Sequence, residues 1–443
     1  MTTPLPQQLR KTDNERLANY KRNLDFYNGQ QWPAGRDRRR DAKNLTFNYA
    51  RAIVKKIAAY VMQGRSVNVE PASDDTTAIG AAAQAEAAIA GIHAVNHADR
   101  LDYDTEIDTA VLGDGAYKVT WSPERNAVRI TAPDVQGLYA WPASDDLTEF
   151  VRVCQRYQLP ADDPRVAPYA RNDRPVELIE DWTTTLFDLY IDNQLASSVP
   201  NPYGFVPFVI FPNESQPKRW YGASDIDEIR EPCLALNREV TRIDKILAVS
   251  GNPIAVLEGV QQSQDIAVDP GAVWEIPEGA KAYLLDLLRG GGVRLHIDYV
   301  DLLRNTLQDL AETPRTAFGD TDRDLSGVAL RIQLQPLLQK VERKRLIRTA
   351  AYIRRTEMAF ALLAQFRKED HSQAGEIVVN WEPATPGDRT EAITNEAAML
   401  TAGIAARRTA IARLGEVDDV DKELSLIDAD DRDLSRRESS STT

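Results

Sequence analysis

The sequence predicts an α+β chain that is mainly helical, and three observations carry that reading. Apolar residues recur at three- and four-residue spacing through most of the second half. Short β-branched and aromatic runs, divided by turn residues, crowd residues 117–211. The length, 443 residues, exceeds one compact core and suggests roughly two to four structural units.

The elements follow in order. Residues 9–27 carry charges around Leu17, Leu24 and Tyr27 and read as a surface helix stopped at Asn28-Gly29. A basic loop, residues 36–40, follows. Asn48 is placed to cap a second helix whose buried stripe is Ile53, Val54, Ile57 and Val61. Gly64 ends it, and residues 67–71 alternate like a strand. An alanine-rich helix spans residues 77–97 and another spans 103–112, stopped by Gly113-Asp114-Gly115. Strands are expected at 117–121, 128–131, 150–157, 176–182, 186–191 and 205–211.

The second half is helical. Ser224 with Asp227 makes a helix start, and Ile226, Ile229, Leu236, Val240, Ile243 and Leu247 continue at helical spacing. Pro232 either kinks this helix or opens a second one. A compact insert, residues 254–288, carries strand-like pieces and is closed by Gly290-Gly291-Gly292. Helical spacing returns with Leu295, Val300, Leu303, Leu307 and Leu310, and Pro314 ends it. A polar stretch to Leu325 precedes a long helix, residues 326–366, with a bend expected at Pro336. Residues 377–381 look like a strand, residues 389–427 are helical, and the tail from Asp428 is polar and expected to be disordered. Two helices flanking a small insert form a protruding hairpin, which leaves apolar helix surface for oligomerisation to cover.

Charge and cysteine content narrow the function. The formal net charge is −14, whereas proteins that grip DNA carry a basic surface. An acidic chain remains suited to DNA that must slide past it. Cys154 and Cys233 are the only cysteines; two isolated thiols suit a reducing cytosol and form neither a disulfide framework nor a zinc site. The first residues show no signal pattern for export. The longest apolar stretches, such as residues 57–62, read as far too short to cross a bilayer.

Four stretches in this order resemble the bacteriophage portal proteins of long-tailed phages, in the family common in phages of Gram-positive bacteria. They are Asp25-Phe26-Tyr27-Asn28-Gly29 with Asn48 to Val54 and Tyr60 to Gly64; Gly113-Asp114-Gly115-Ala116-Tyr117-Lys118-Val119; Asp324-Leu325-Ser326-Gly327-Val328-Ala329-Leu330; and Ala402-Gly403-Ile404 through Thr409 to Val420, Glu423 and Leu424. At Ala406 the family often has Ser, so the cap of the next helix departs from its pattern.

The resemblance implies a portal fold: wing at 1–221, stem helix at 222–250, small α/β clip at 251–292, stem helix at 293–313, tunnel loop at 314–326, long helix returning to the wing at 327–388, and short helical crown with tail at 389–443. It implies no catalysis and no cofactor. It implies a homo-oligomeric ring of about twelve subunits at one capsid vertex of the virion, built in the host cytoplasm. Double-stranded DNA would pass through during packaging and ejection. The terminase large subunit, then the head-tail adaptor, would dock on it, with scaffold and major capsid proteins around it. The DNA-facing loop would comprise Pro314, Arg315, Thr316, Phe318, Gly319, Asp320, Thr321, Asp322, Arg323 and Asp324. Arg242, Lys245 and Arg304 would line the stem. Acidic residues at the loop would repel and centre the duplex, and a few cations would touch it transiently. Gly319 and Gly327 are candidate hinges for a loop that gates or grips DNA.

Rival signals are weaker. No phosphate-cradling Gly-x-x-x-x-Gly-Lys motif occurs, so the packaging ATPase is expected to be a separate partner. Gly290-Gly291-Gly292 reads as a hinge rather than a phosphate site. His93 and His97 are four apart, but Ala94 stands where a metalloprotease needs Glu. Asp145-Asp146, Asp162-Asp163 and Asp418-Asp419 leave a carboxylate-metal nuclease as an alternative, although sequence pairs show only local charge. Ser215, Ser224 and Ser326 lack a nucleophile-elbow setting. Arg38-Arg39-Arg40 reads as a solvated or inter-subunit patch, and the stripe from Leu330 to Phe366 as packing rather than a membrane-surface helix. Another minor capsid structural protein is the second alternative.

Overall fold

The computed structural model describes residues 5–9, 11–32, 44–169, 174–251, 255–258, 279, 281–284, 292–319, 327–384, 389–415, 417, 420 and 422–429. They are α+β and mainly helical. Two compact units emerge: residues 1–324 with 332–382, and residues 325–331 with 383–443. The basic run Arg38 to Arg40, the glycines at 290 and 291, Asp418-Asp419 and the tail from residue 430 lie outside the described residues.

The expected first helix is two helices, α1 (Leu5–Leu9) and α2 (Asn14–Tyr27). Thr12 Oγ1 donates to the Gln8 carbonyl, and Asp13 adopts a left-handed φ of 57° while its carboxylate accepts from Arg16. Short polar side chains thus compete with the helical backbone at that point. α3 (Tyr49–Val61) begins as expected: Asn48 Oδ1 accepts the Arg51 N–H at 3.1 Å.

β1 (Arg65–Pro71) leads to α4 (Thr76–Asn96), which Asp75 caps through the Thr77 and Ala78 N–H groups. Against the expectation that the longest apolar stretches are too short, α4 is long and apolar enough to cross a membrane by length and composition. Alanine accounts for the difference. Its inner face, Ala82, Ala85 and Ile89, packs into a protein core with Val69, Val119 and Val128. α5 (Ala98–Leu112) stops at Gly113, whose φ of 109° favours glycine.

β2 (Asp114–Ser122) stands between β3 (Ala127–Thr131) and β9 (Phe208–Pro212). β4 (Leu138–Pro142), β5 (Phe150–Leu159), β6 (Val176–Thr183), β7 (Leu186–Ile191) and β8 (Gln194–Pro200) form an antiparallel meander in chain order. β4 and β8 were not among the expected strands. In β8 a polar, exposed sequence is held as a strand by the Asp192-Asn193 turn, both residues at positive φ, which returns the chain along β7.

The expected helix start at Ser224 is a turn. Ser224 Oγ accepts the Ile226 N–H, and the Ser224 N–H donates to Asp227. α6 (Arg230–Gly251) follows, so Pro232 lies in its first turn, where a missing N–H is tolerated. A hairpin of β10 (Ala255–Glu258) and β11 (Lys281–Leu284) separates α6 from α7 (Gly292–Ala311). α8 (Gly327–Phe366) contains Pro336, and β12 (Gly375–Trp381) pairs antiparallel with β1, Arg65 opposite Trp381. The main core joins α4, β1, β2, β9 and β12 to the C-terminal part of α8 through Tyr352, Leu362 and Leu363.

In the second unit, α9 (Arg389–Thr401) and α10 (Arg407–Leu414) are linked by Arg413 and Glu396 at 3.6 Å. Ala406 is the N-cap residue of α10 and supplies no side-chain cap.

Candidate functional site

α6 and α7 lie side by side, and each changes character along its length. At the foot of α6, Ile226, Ile229 and Leu236 are buried. Asn237 Nδ2 donates to Gln31 at 2.6 Å, and the Phe47 N–H donates to Asn237 Oδ1 at 2.8 Å. Midway, His296 Nδ1 on α7 hydrogen-bonds the buried Glu239 of α6, whose other oxygen accepts from Arg242 at 2.9 Å. Leu303 and Leu307 are buried near the end of α7. Other apolar residues of the pair are uncovered: Leu247 is 53% exposed, Leu295 72% and Leu302 59%.

The structure places Arg242, Lys245 and Arg304 on this helical pair. Arg242 and Lys245 are exposed, whereas Arg304 is half-buried and 3.8 Å from Asp301. Pro314 precedes a 3-10 turn, Arg315–Phe318, which Gly319 closes at φ 83°. Arg315 and Thr316 are half-buried, Ala317 is buried, and Phe318 is 41% exposed with Lys56 Nζ 5.5 Å from its ring centre. Asp320, Thr321, Asp322, Arg323 and Asp324 lie outside the described residues.

Sequence reasoning missed the buried charges of α8. Lys340, Lys344, Arg345, Arg348 and Arg355 are all buried. Lys340 and Lys344 flank the Asp225 carboxylate at 3.2 and 2.7 Å. Arg348 pairs with Glu106 at 2.8 Å and donates to the Asn213 carbonyl at 2.8 Å. Arg355 meets Asp102, which also receives Arg65. Arg345 donates to the carbonyls of Tyr60, Val61, Gln63 and Glu382, capping the C-terminus of α3. Burial alone would raise the Asp225 carboxyl, but the two lysines outweigh it and hold it far below the usual carboxylate range. At Asp102, burial is likewise outweighed, by Arg355 and then Arg65. The available signal was the spacing of Lys340, Lys344, Arg348 and Arg355, which puts four cations on one helix face.

One carboxylate of each described acidic pair weighed as a metal ligand is engaged elsewhere. Asp146 accepts the Thr148 N–H at 2.8 Å, and Asp163 pairs with Arg165 at 2.7 Å. Among the described residues, no group of three or more His, Cys, Asp or Glu is placed to hold a metal.

A helical pair, a short turn and a long clamped helix therefore follow one another, and comparison with known families falls on this stretch. Residues 294–437, about a third of the chain, match the family described as phage portal protein, SPP1 Gp6-like. That stretch is similar to the phage portal family. The portal match begins in α7 and takes in two of the four stretches that suggested the family, Asp324 to Leu330 and Ala402 to Leu424. The other two precede it. Portal proteins as a family are in general structural, form oligomeric rings and associate with the capsid and DNA. A search of the curated proteins finds no match.

Proposed function

We propose that this chain is one subunit of a ring-shaped channel at a single capsid vertex, through which double-stranded DNA is packaged and ejected. The carrying observation is the uncovered apolar surface of α6 and α7 at Leu247, Leu295 and Leu302. Isolated, that surface is a liability; against neighbouring copies it closes a ring of heterologous contacts. In this reading residues 1–221 are the wing, and residues 222–250 and 293–313 are the stem. Residues 251–292 are the clip, which meets the terminase large subunit and later the head-tail adaptor. Residues 314–326 are the tunnel loop, residues 327–388 the long helix and return to the wing, and residues 389–443 the crown and tail. Scaffold and major capsid proteins surround the ring during assembly in the host cytoplasm. Arg242, Lys245 and Arg304 contact passing DNA weakly, and the acidic total of the chain keeps the duplex from sticking.

Electron microscopy of the purified protein with native mass spectrometry tests this. A closed ring of about twelve subunits with a hole wide enough for a duplex is expected. A small closed dimer with the α6–α7 pair buried would overturn the proposal.

A further inference from the structure

We propose that Lys56 is a positioning residue that latches the 315–318 turn, through the face of Phe318, onto α3. The inference rests on reading residues 314–326 as the segment that works along DNA.

The segment before Gly319 is fixed at successive points. Lys340 Nζ on α8 donates to the Ala311 carbonyl at 3.5 Å, and Arg343 pairs with Glu312 at 2.5 Å. The Thr313 N–H donates to the Gln308 carbonyl at 3.0 Å, and Thr313 is fully buried. Within the turn, the Ala317 N–H donates to Pro314 at 2.9 Å and the Gly319 N–H to Thr316 at 3.1 Å. Beyond these ties the turn still presents a large ring to solvent, that of Phe318. The position of Lys56 follows from α3 itself. Ile53, Val54 and Ile57 face the core, so Lys56 falls at the border of that face, half-buried. Its stem can lie along apolar surface while its ammonium reaches outward. The ammonium stands 5.5 Å from the Phe318 ring centre, within cation–π range.

Gly319 follows at φ 83°, and among the described residues no atom beyond its chain neighbours lies within 4 Å of where its Cβ would stand. These ties hold the chain as far as Phe318. A segment that pushes or restrains DNA needs such a fixed base, and Lys56 ties that base to α3 of the wing as well as to α8.

Hydrogen exchange by mass spectrometry on the assembled full-length ring tests the latch. Lys56→Gln should speed exchange of the 315–319 amides about two- to five-fold, the scale of an exposed cation–π contact. Lys56→Arg should restore the wild-type rate. Phe318→Leu should match Lys56→Gln, and the double variant should be no faster than either single one. Unchanged exchange in Lys56→Gln, or effects that multiply in the double variant, would overturn the contact. Counting DNA-filled heads then reads the role: Lys56→Gln should fill fewer heads and Lys56→Arg a normal number. Faster exchange with normal filling would leave the contact standing and remove the positioning role. Normal filling after deletion of residues 321–324 would instead sink the tunnel-loop reading, whatever the exchange rates.

Discussion

α8 and the α6–α7 pair are built from similar residues arranged in opposite ways. Between Leu337 and Leu363, α8 turns cations inward, with Lys344, Arg348 and Arg355 each 1% exposed on their side chains, while Leu346 points out at 73%. Toward their hairpin end, α6 and α7 turn leucines outward and carry their cations at the surface. In α8 every inward cation has an acceptor on another element, so the charge network joins the helix to α5, the 212–225 connection and the end of α3. In the helical pair, Leu247, Leu295 and Leu302 stand largely uncovered. The first arrangement closes its charges within the chain, and the second leaves apolar surface open, as the ring proposal requires.

The largest effect should come from breaking the network at its centre. Asp225→Ala removes the carboxylate that the buried Lys340 and Lys344 share, leaving, among the described residues, Lys340 only Glu214 and the Ala311 carbonyl and Lys344 only the Asn213 side chain. Removing one partner of a buried ion pair costs about 3–5 kcal/mol, read as a lower denaturant midpoint. Adding Lys344→Met should recover part of the loss, because one stranded charge goes with it. A loss under about 1 kcal/mol for the single variant would mean that water reaches the lysines, and α8 would then be less firmly held than the comparison requires.

The next effect separates two buried carboxylates by the direction of their shifts. Asp225 has two lysines on it, whereas Asp114 has the Gly222 N–H at 2.8 Å and the Tyr20 hydroxyl, with Arg16 behind Tyr20. Burial therefore dominates at Asp114 and pushes its carboxyl up to about 6. A folded value above the unfolded one favours folding in the protonated form. The Asp114 contribution is full below about pH 4 and is lost as pH rises through about 6. The Asp225 contribution runs the other way: it is present above about pH 4 and is lost as pH falls below that. Relative to Asp114→Asn, the wild type should lose up to about 3 kcal/mol between pH 4 and 7. A flat difference across that range would show that the two donors to Asp114 and the nearby Arg16 charge offset its burial.

Much of this was legible in the sequence, and the failures have common causes. Asn48, Gly64 and Gly113 marked ends that the structure keeps, because caps and left-handed positions depend on local chemistry. The α6–hairpin–α7 order was legible because apolar spacing and glycine punctuation are local too. The pairing of β1 with β12 was not, since strands more than 300 residues apart carry no local sign of each other. Nor was the α8 clamp: an apolar stripe marks a buried face only when that face is apolar, and here Lys340, Lys344 and Arg348 occupy it. Of the candidate site, Arg242, Lys245, Arg304 and Pro314 to Gly319 fall on the helical pair and the turn after it, but the contact of Phe318 with Lys56 depended on tertiary packing.

The smallest expected change in subunit stability tests the other side of the comparison. Leu295 and Leu302 are exposed and seven residues apart on α7, hence on one face. Replacing both with Asp should alter subunit stability by no more than about 0.5 kcal/mol, since surface substitutions away from buried features rarely do more. The same variant should fail to assemble, because the new carboxylates would have to be desolvated between copies of a chain that already carries −14. Native mass spectrometry beside a denaturation curve reads both quantities. Assembly at wild-type concentration would show that the outward leucines of α7 do not form the interface. A large loss of stability without assembly would show instead that this face is needed to hold α7 on its own subunit, and the contrast with α8 would disappear.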